Sequence, residues 1–253
     1  MNLDMSMYLR YSAGYILSFL TFSPHHNRLS VMDNGRQIKD VLYEQVSRIG
    51  KAVSSPKRLE LIELLCQGEK PVERLAQESS ISMKLASAHL RELREARLVD
   101  TRREGKNIYY RLADKQVADF WVMIHSLAEE RLIELQMALK QLASAPGELI
   151  PSDRENLMKS ARRGEVVVLD VRPVEEYLAA HLPFARSIPL DELKNRLDEL
   201  PTDRPIVAYC RGPYCLMAPD AVALLKDKGY SAHLLRDGVA EWGLPGIKLN
   251  IQA

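Results

Sequence analysis

Cysteine is scarce in this chain: three in 253 residues, at Cys66, Cys210 and Cys215. That excludes a disulfide-stapled scaffold and suits a reducing cytoplasm, where thiols carry chemistry. Net charge is nearly absent too, +1 at pH 7. Any affinity for nucleic acid must therefore come from local patches. The apolar run Tyr15 to Phe22 is too short to span a bilayer, and no membrane partner is expected.

What is present is ordinary soluble composition, 46% hydrophobic and 27% charged, in a length that suits two domains. With Arg10 ahead of it, the Tyr15–Phe22 run is similar to a secretory leader, but export does not fit the DNA-binding pattern further on. Ordered periodicity begins just after Met32, so 1–31 is set apart as an N-terminal extension, and a start at Met1 or at Met32 stays open. Residues 32–143 form the first expected domain, 144–150 a linker around Pro146-Gly147, and 151–253 the second domain.

The first domain reads as helices. Ile38, Val41, Leu42, Val46, Ile49 and Val53 recur at helical spacing over 36–53. Ser55 and Pro56 start a second helix that Gly68 closes. Pro71 opens a short third helix, and Ser82 caps a fourth from Met83 to Ala96. Strands 98–103 and 108–112 flank Gly105 as a hairpin. One long helix is expected from Lys115 to Leu142, with an apolar stripe suited to dimerisation. The second domain alternates strands with helices: strands at 166–170, 206–209 and 232–235, and helices at 173–180 and 221–226. That order implies a small parallel α/β domain with Cys210 at a strand's carboxyl end, where such sheets bind ligands.

From Lys84 to Arg111 eight basic residues face four acidic ones, a local +4. Two helices joined by a tight turn, the second basic, make a helix-turn-helix plan. Ser82, Lys84, Ser87, His89, Arg91 and Arg94 are the candidate DNA contacts on the helix. Arg102, Arg103 and Lys106 are those on the wing. Pro56-Lys57-Arg58-Leu59-Glu60-Leu61, Ser87-Ala88-His89-Leu90-Arg91-Glu92-Leu93-Arg94 and Arg102-Arg103-Glu104-Gly105-Lys106, in that order, resemble the ArsR family of winged-helix repressors over about 36–142. The resemblance implies a homodimer on a double-stranded DNA operator, released by an effector. The chain departs from the metal-sensing members. Val72-Glu73-Arg74-Leu75-Ala76 holds no cysteine box, and Asp119 and His125 lack a second histidine. No metal and no cofactor are expected, His125 reads as a packing or surface residue, and Cys66 as buried and inert.

In the second domain, Cys210-Arg211-Gly212-Pro213-Tyr214-Cys215 follows an apolar strand. The thiolate is the reactive form of cysteine, and Arg211, the loop amides and the next helix are expected to supply positive potential. Gly212 permits tight curvature, whereas Pro213 removes one amide donor. Gly212, Pro213 and Tyr214 thus form a loop able to hold an oxyanion against the sulfur. Leu216 stands where phosphatase-type loops need an arginine, which disfavours that chemistry. Leu169-Asp170-Val171-Arg172, Glu176-Tyr177, His181-Leu182-Pro183 and Asp237-Gly238 with Trp242 are similar to the signatures of the rhodanese family over about 150–247. That resemblance implies a sulfurtransferase fold with Cys210 as persulfide carrier. Asp170 and Arg172 are expected to brace the loop, and His181 to hydrogen-bond within the fold. Pro213 and Cys215 stand where many single-domain members keep glycine and arginine, so thiosulfate should be held weakly. Cys215 is either a second sulfur-handling thiol or a packing residue.

The fold class is multidomain: a mainly α winged helix-turn-helix domain, then a small α/β rhodanese-like domain with a parallel sheet. The expected function is a cytoplasmic, dimeric regulator whose Cys210, Arg211 and Cys215 handle sulfane sulfur from a small donor such as thiosulfate or polysulfide. Two alternatives stay open: a sulfurtransferase enzyme with an attached DNA-binding module, or a metalloid or oxidant sensor using Cys210 and Cys215.

Overall fold

The computed structural model describes residues 28–142, 148–149 and 154–243. Contacts divide the chain into two compact units, Met1–Ser47 and Arg48–Ala253. The expectations for 1–27, for 143–147 and for the end of the chain after Gly243 lie outside the described residues.

Helix α1 spans Arg28–Val53, so it starts ahead of the expected boundary at Met32. Its apolar residues Ile38, Val41, Leu42, Tyr43 and Val46 are exposed. In the second unit, α2 (Pro56–Cys66) begins at Ser55, whose carbonyl rather than hydroxyl takes the first helical hydrogen bonds. Gly68 ends it with φ +135°, a conformation glycine adopts without cost. Then follow β1 (Lys70–Pro71), α3 (Val72–Glu78) and α4 (Met83–Glu95). Ser82 Oγ accepts a hydrogen bond from the Leu85 amide at 3.2 Å, so the expected cap on α4 is made. Strands β2 (Val99–Glu104) and β3 (Asn107–Leu112) pair as the expected hairpin, and β1 adds to its other side. Leu61, Ile62, Leu75, Leu90, Leu93 and Val99 are fully buried beneath these elements.

The long helix expected from Lys115 to Leu142 is two helices. α5 covers Lys115–Arg131 and α6 covers Ile133–Leu142. Leu132 breaks the run by adopting an extended backbone, φ −106° and ψ 108°. Apolar spacing continues through such a break, which is why the periodicity does not register it.

Beyond lie β4 (Glu148–Leu149), α7 (Arg154–Arg162), β5 (Val167–Asp170), α8 (Val174–Ala179), β6 (Arg186–Ser187), α9 (Leu190–Leu193), β7 (Ile206–Tyr209), α10 (Met217–Asp227), β8 (Ala232–Leu235) and α11 (Val239–Gly243). The five strands form a parallel sheet in the order β4-β8-β7-β5-β6. Two of these, β4 and β6, are two-residue strands that carry no alternation to read. Along β7, Ile206, Ala208 and then Cys210 pack with α10, while Val207 and Tyr209 pack on the other face with Trp242. This period-2 alternation carries Cys210 off the central strand into the core beside α10.

Candidate thiol site and its contacts with the winged helix

Cys210 is 3% exposed, and its Sγ donates to the Cys215 carbonyl at 3.6 Å. Burial pushes its pKa well above that of an ordinary thiol, and the neighbouring Cys215 sulfur adds to this. Cys215 moves the other way, down to about 7. The hydrogen bond from Cys210 is the main cause, and the amides of Arg211 and Met217 assist against the cost of burial. Met217 opens α10, so the sulfur of Cys215 also lies at a helix amino end. The two thiols interact, and their surroundings favour the thiolate at Cys215 over Cys210.

The reason lies partly in Arg211. Its guanidinium does not turn to the sulfur. It holds Glu176 with Nη2–Oε1 at 2.5 Å and Glu78 with Nη2–Oε2 at 2.8 Å. Lys70 completes the group, 2.7 Å from Glu176 and 3.6 Å from Glu78. Two cations and two carboxylates thus cluster, Lys70 and Glu176 buried and Arg211 and Glu78 half-buried. Burial alone would raise the pKa of Glu176, but Arg211 and Lys70 outweigh it and hold the carboxyl below its usual range. Burying charges in this way is tolerable only with full pairing. Glu78 ends α3 and Lys70 lies in β1, so the cysteine loop is clamped to the helix-turn-helix.

Two more links join the same loop to the winged helix. Gln67 is buried just after α2. Its Nε2 donates to the Arg211 carbonyl at 3.3 Å, and its Oε1 accepts from Arg172 Nη1 at 2.9 Å. Arg172 is fully buried and grips Asp170, Nη2–Oδ2 2.6 Å, and the same Nη2 donates to the Ala180 carbonyl at 2.8 Å. The expected brace of Asp170 and Arg172 is thus a buried ion pair that reaches the winged helix. Tyr214 packs edge-on to Trp121 and His125 of α5, with ring centroids 6.1 and 5.7 Å apart.

His125 is buried between two carboxylates, Glu241 Oε1 at 3.2 Å from Nε2 and Glu129 Oε1 at 3.6 Å from Nδ1. Arg236 Nη2 lies 2.5 Å from the other oxygen of Glu129. Burial alone would lower the imidazole's pKa, but Glu129 and Glu241 outweigh it and raise it to about 9. A packing or surface histidine was expected; His125 is packed between α5 and α11, and its two carboxylate neighbours favour the imidazolium form. Because the folded pKa exceeds the unfolded value of about 6.5, this contribution is complete below pH ~6.5 and is lost as pH rises through about 9. Stability in urea should fall over that window by up to about 3 kcal/mol. Glu63, raised to about 7 by burial, and Cys215 also titrate nearby. The decisive comparison is therefore with His125→Gln, which should flatten the upper part of the profile. A profile unchanged in that variant would refute the assignment.

Gly212, with φ +150°, lies against the Glu241 carboxylate, which a Cβ would meet at 3.2 Å. Gly238 admits no Cβ at all: it would collide with the backbone of Arg211 and Gly212. Glu241 Oε2 accepts the Gly238 amide at 2.8 Å. Cys210, Gly212, Pro213 and Cys215 form one wall of a cavity of about 490 Å³, and the opposite side comes from α5 and α6. Cys66 is half-buried, and burial raises its thiol well above the ordinary range. His181 Nδ1 lies 2.9 Å from the Tyr177 carbonyl, within the fold as expected.

On the basic face, Lys84, Ser87, Arg91 and Arg94 are exposed along α4 at helical spacing, and Arg103 and Lys106 are exposed on the wing. His89 is half-buried. Arg102 differs: it pairs with Glu69 at 2.5 Å and Glu104 at 2.8 Å, and lies over the Tyr109 ring. Its half-exposed guanidinium ties the wing to Glu69, just ahead of β1. Sequence reasoning missed Gln67, Lys70, Glu78, Glu129, Arg236 and Glu241, because their partners lie far away in the chain. No helix among the described residues is long and apolar enough to cross a membrane.

Comparison with known proteins bears on both halves. Residues 55–101 match the bacterial regulatory protein, arsR family, and residues 153–244 match the rhodanese-like domain. The HTH-type transcriptional regulator Rv0324 of Mycobacterium tuberculosis is 43% identical over 212 residues, 84% of this chain and 93% of the relative. A sulfurtransferase of Allochromatium vinosum is 31% identical over 99 residues, 38% of this chain and 91% of its own. Among solved structures, the homodimeric winged helix-turn-helix domain of a possible ArsR-family regulator from Mycobacterium bovis is 34% identical. It has a TM-score of 0.36 and covers 45% of this chain and 95% of that one.

Proposed function

The chain belongs to the ArsR family of transcriptional regulators, with a rhodanese-like domain at its C-terminal side, and from that premise we propose that it regulates transcription in response to sulfane sulfur. The observation that carries this reading is the clamp on the cysteine loop. Arg211, one residue from Cys210, is ion-paired with Glu78 of the helix-turn-helix. A change in charge at Cys210 is thereby felt by the DNA-binding half.

Cys210 is the sulfur carrier and Cys215 its base. As the Cys210 sulfur attacks the terminal sulfur of a donor R–S–S–H, the R–S to S bond breaks. The Cys210 proton passes to the Cys215 thiolate, and R–S⁻ leaves to be protonated in turn. The product is a Cys210 persulfide, and no external oxidant is consumed. Lys84, Ser87, Arg91 and Arg94 face the operator's major groove, and Arg103 and Lys106 its backbone. The exposed apolar residues Met123, Leu127, Leu132, Ile133 and Met137 of α5, α6 and their junction form the homodimer face. Such a regulator works in the cytoplasm.

The test pairs two measurements on the full-length protein: the mass of the Cys210 peptide and operator binding, with and without polysulfide. Cys210→Ser should bind the operator like the parent chain, gain no sulfur and lose the response. Sulfur gain with unchanged operator affinity would favour a second reading, sulfur-transfer turnover, which the open cavity beside both thiols supports. No sulfur gain from any donor would refute both.

A further inference from the structure

The cavity at the two cysteines is far larger than an inorganic sulfur anion. At about 490 Å³ it falls in the size range of pockets that hold small organic ligands, and thiosulfate would fill only a minor part. Its lining is also wrong for a bare anion. Ser126 and Glu130 of α5, Gln136 and Lys140 of α6 and Arg236 after β8 present hydroxyl, carboxylate, amide, ammonium and guanidinium groups of both charge signs. Arg236 is paired with Glu129. Arg211, the cation nearest in sequence to Cys210, is engaged by Glu176 and Glu78. Glu129 and Glu130 offset Lys140 and Arg236 in the lining, so the cavity carries no surplus of fixed positive charge for a small dianion. Mixed donors and acceptors around a roomy, half-open space suit a molecule with amino and carboxylate groups and a short reach to the sulfur.

We infer that the donor is the persulfide of a low-molecular-weight amino-acid or peptide thiol, bound between α5–α6 and the cysteine loop. This rests on Cys210 as sulfur carrier. The reaction is R–S–S–H plus the Cys210 thiol giving R–S–H plus the Cys210 persulfide. The sulfane sulfur moves, the R–S to S bond breaks, and the donor leaves as its ordinary thiol. Seating the carrier molecule on α5 and α6 also places its body against the helices on either side of the Leu132 break.

The experiment measures the second-order rate of one-sulfur gain on the Cys210 peptide of the full-length protein. The donors are glutathione persulfide, cysteine persulfide, inorganic tetrasulfide and thiosulfate. At least one organic persulfide should react about tenfold or more faster than thiosulfate, the scale of discrimination a shaped pocket supplies. Ser126→Trp and Gln136→Trp each fill the cavity from an exposed helix position. They should slow the peptide persulfide about tenfold while leaving tetrasulfide within about twofold. Two variants from different helices guard against one that misfolds, and circular dichroism melting checks each. Thiosulfate as fast as the organic donors, or folded tryptophan variants that slow all donors equally or none, would overturn the inference. Because the readout is loading, this result is separable from operator binding. Selective loading without a change in operator affinity would sink the regulatory reading and leave the donor class standing.

Discussion

Replacing Gly238 by alanine should disable the thiol site while leaving Cys210 and Cys215 in the sequence. A Cβ on Gly238 collides with the Arg211 carbonyl group and the Gly212 amide nitrogen. All of these are backbone atoms, so no side chain can swing aside. Relief requires moving either the cysteine loop or the start of α11. The loop is held by Gln67, Glu78 and Glu176, and α11 by the fully buried Trp242. The constraint is space rather than left-handed backbone. Forcing atoms into a packed region typically costs 1–3 kcal/mol, and a backbone collision belongs at the top of that range, about 3 kcal/mol. A displacement of about 1 Å at a reacting group costs on the order of 100-fold in rate. Urea unfolding should therefore show the loss of stability, and the rate of sulfur gain at Cys210 should fall about 100-fold. Gly50→Ala is the control, since its Cβ meets nothing within 4 Å and helix propensity favours the change. A Gly238→Ala protein that loads sulfur at the parent rate would show that the close approach is dispensable.

The local elements were largely legible because each rests on short-range physics. Ser82 announces α4 by its hydroxyl, and Gly105 announces the wing turn with φ +58°. The buried runs 167–170 and 206–209 announce the central strands. Cys210 at the end of the second could be placed from the strand alone. What could not be read were relations between distant positions. Lys70 and Glu176 are 106 residues apart, and His125 and Glu241 are 116 apart. No local pattern marks a lysine that will be buried, and the weak signal was a lone histidine on the helix expected to dimerise. The partners of Arg211 were hidden for the same reason. Beside Cys210 in sequence it looks like the thiol's counter-ion, but its reach is decided by Glu78 on the winged helix. Likewise, the ionisation of Cys215 depends on the Met217 amide and on the Cys210 thiol pointing toward it. Only the folded loop sets these directions.

That arrangement makes Glu78 the residue whose loss should separate sulfur chemistry from DNA binding. Lys70, Glu78, Glu176 and Arg211 bring two charges of each sign together, and Arg74 pairs with Glu78 from the exposed side. On the proposed mechanism, a persulfide anion on Cys210 would add a negative charge one residue from Arg211. At roughly 4 Å and an effective dielectric constant near 20, one such attraction is worth about 4 kcal/mol, comparable with what holds Arg211 to Glu78. The guanidinium would then be drawn toward the sulfur, leaving Glu78 with Lys70 and Arg74. Glu78 closes α3, which packs on α4, so a shift of α3 reaches the DNA-contacting helix. In Glu78→Gln the carboxylate that competes for Arg211 is gone and only Glu176 retains it. The variant should gain one sulfur at Cys210 at the parent rate. Its operator affinity should change by less than about twofold on loading, where the parent changes by about 5- to 150-fold, the usual range of coupling between sites. Glu78→Asp keeps the charge and should keep most of the response, which separates the electrostatic role from a packing one. Fluorescence anisotropy with a labelled operator, read alongside peptide mass, measures both quantities on one sample. A glutamine variant that answers sulfur as fully as the parent would mean that the signal leaves the loop by another route, of which the His125–Glu241 contact is the next to test.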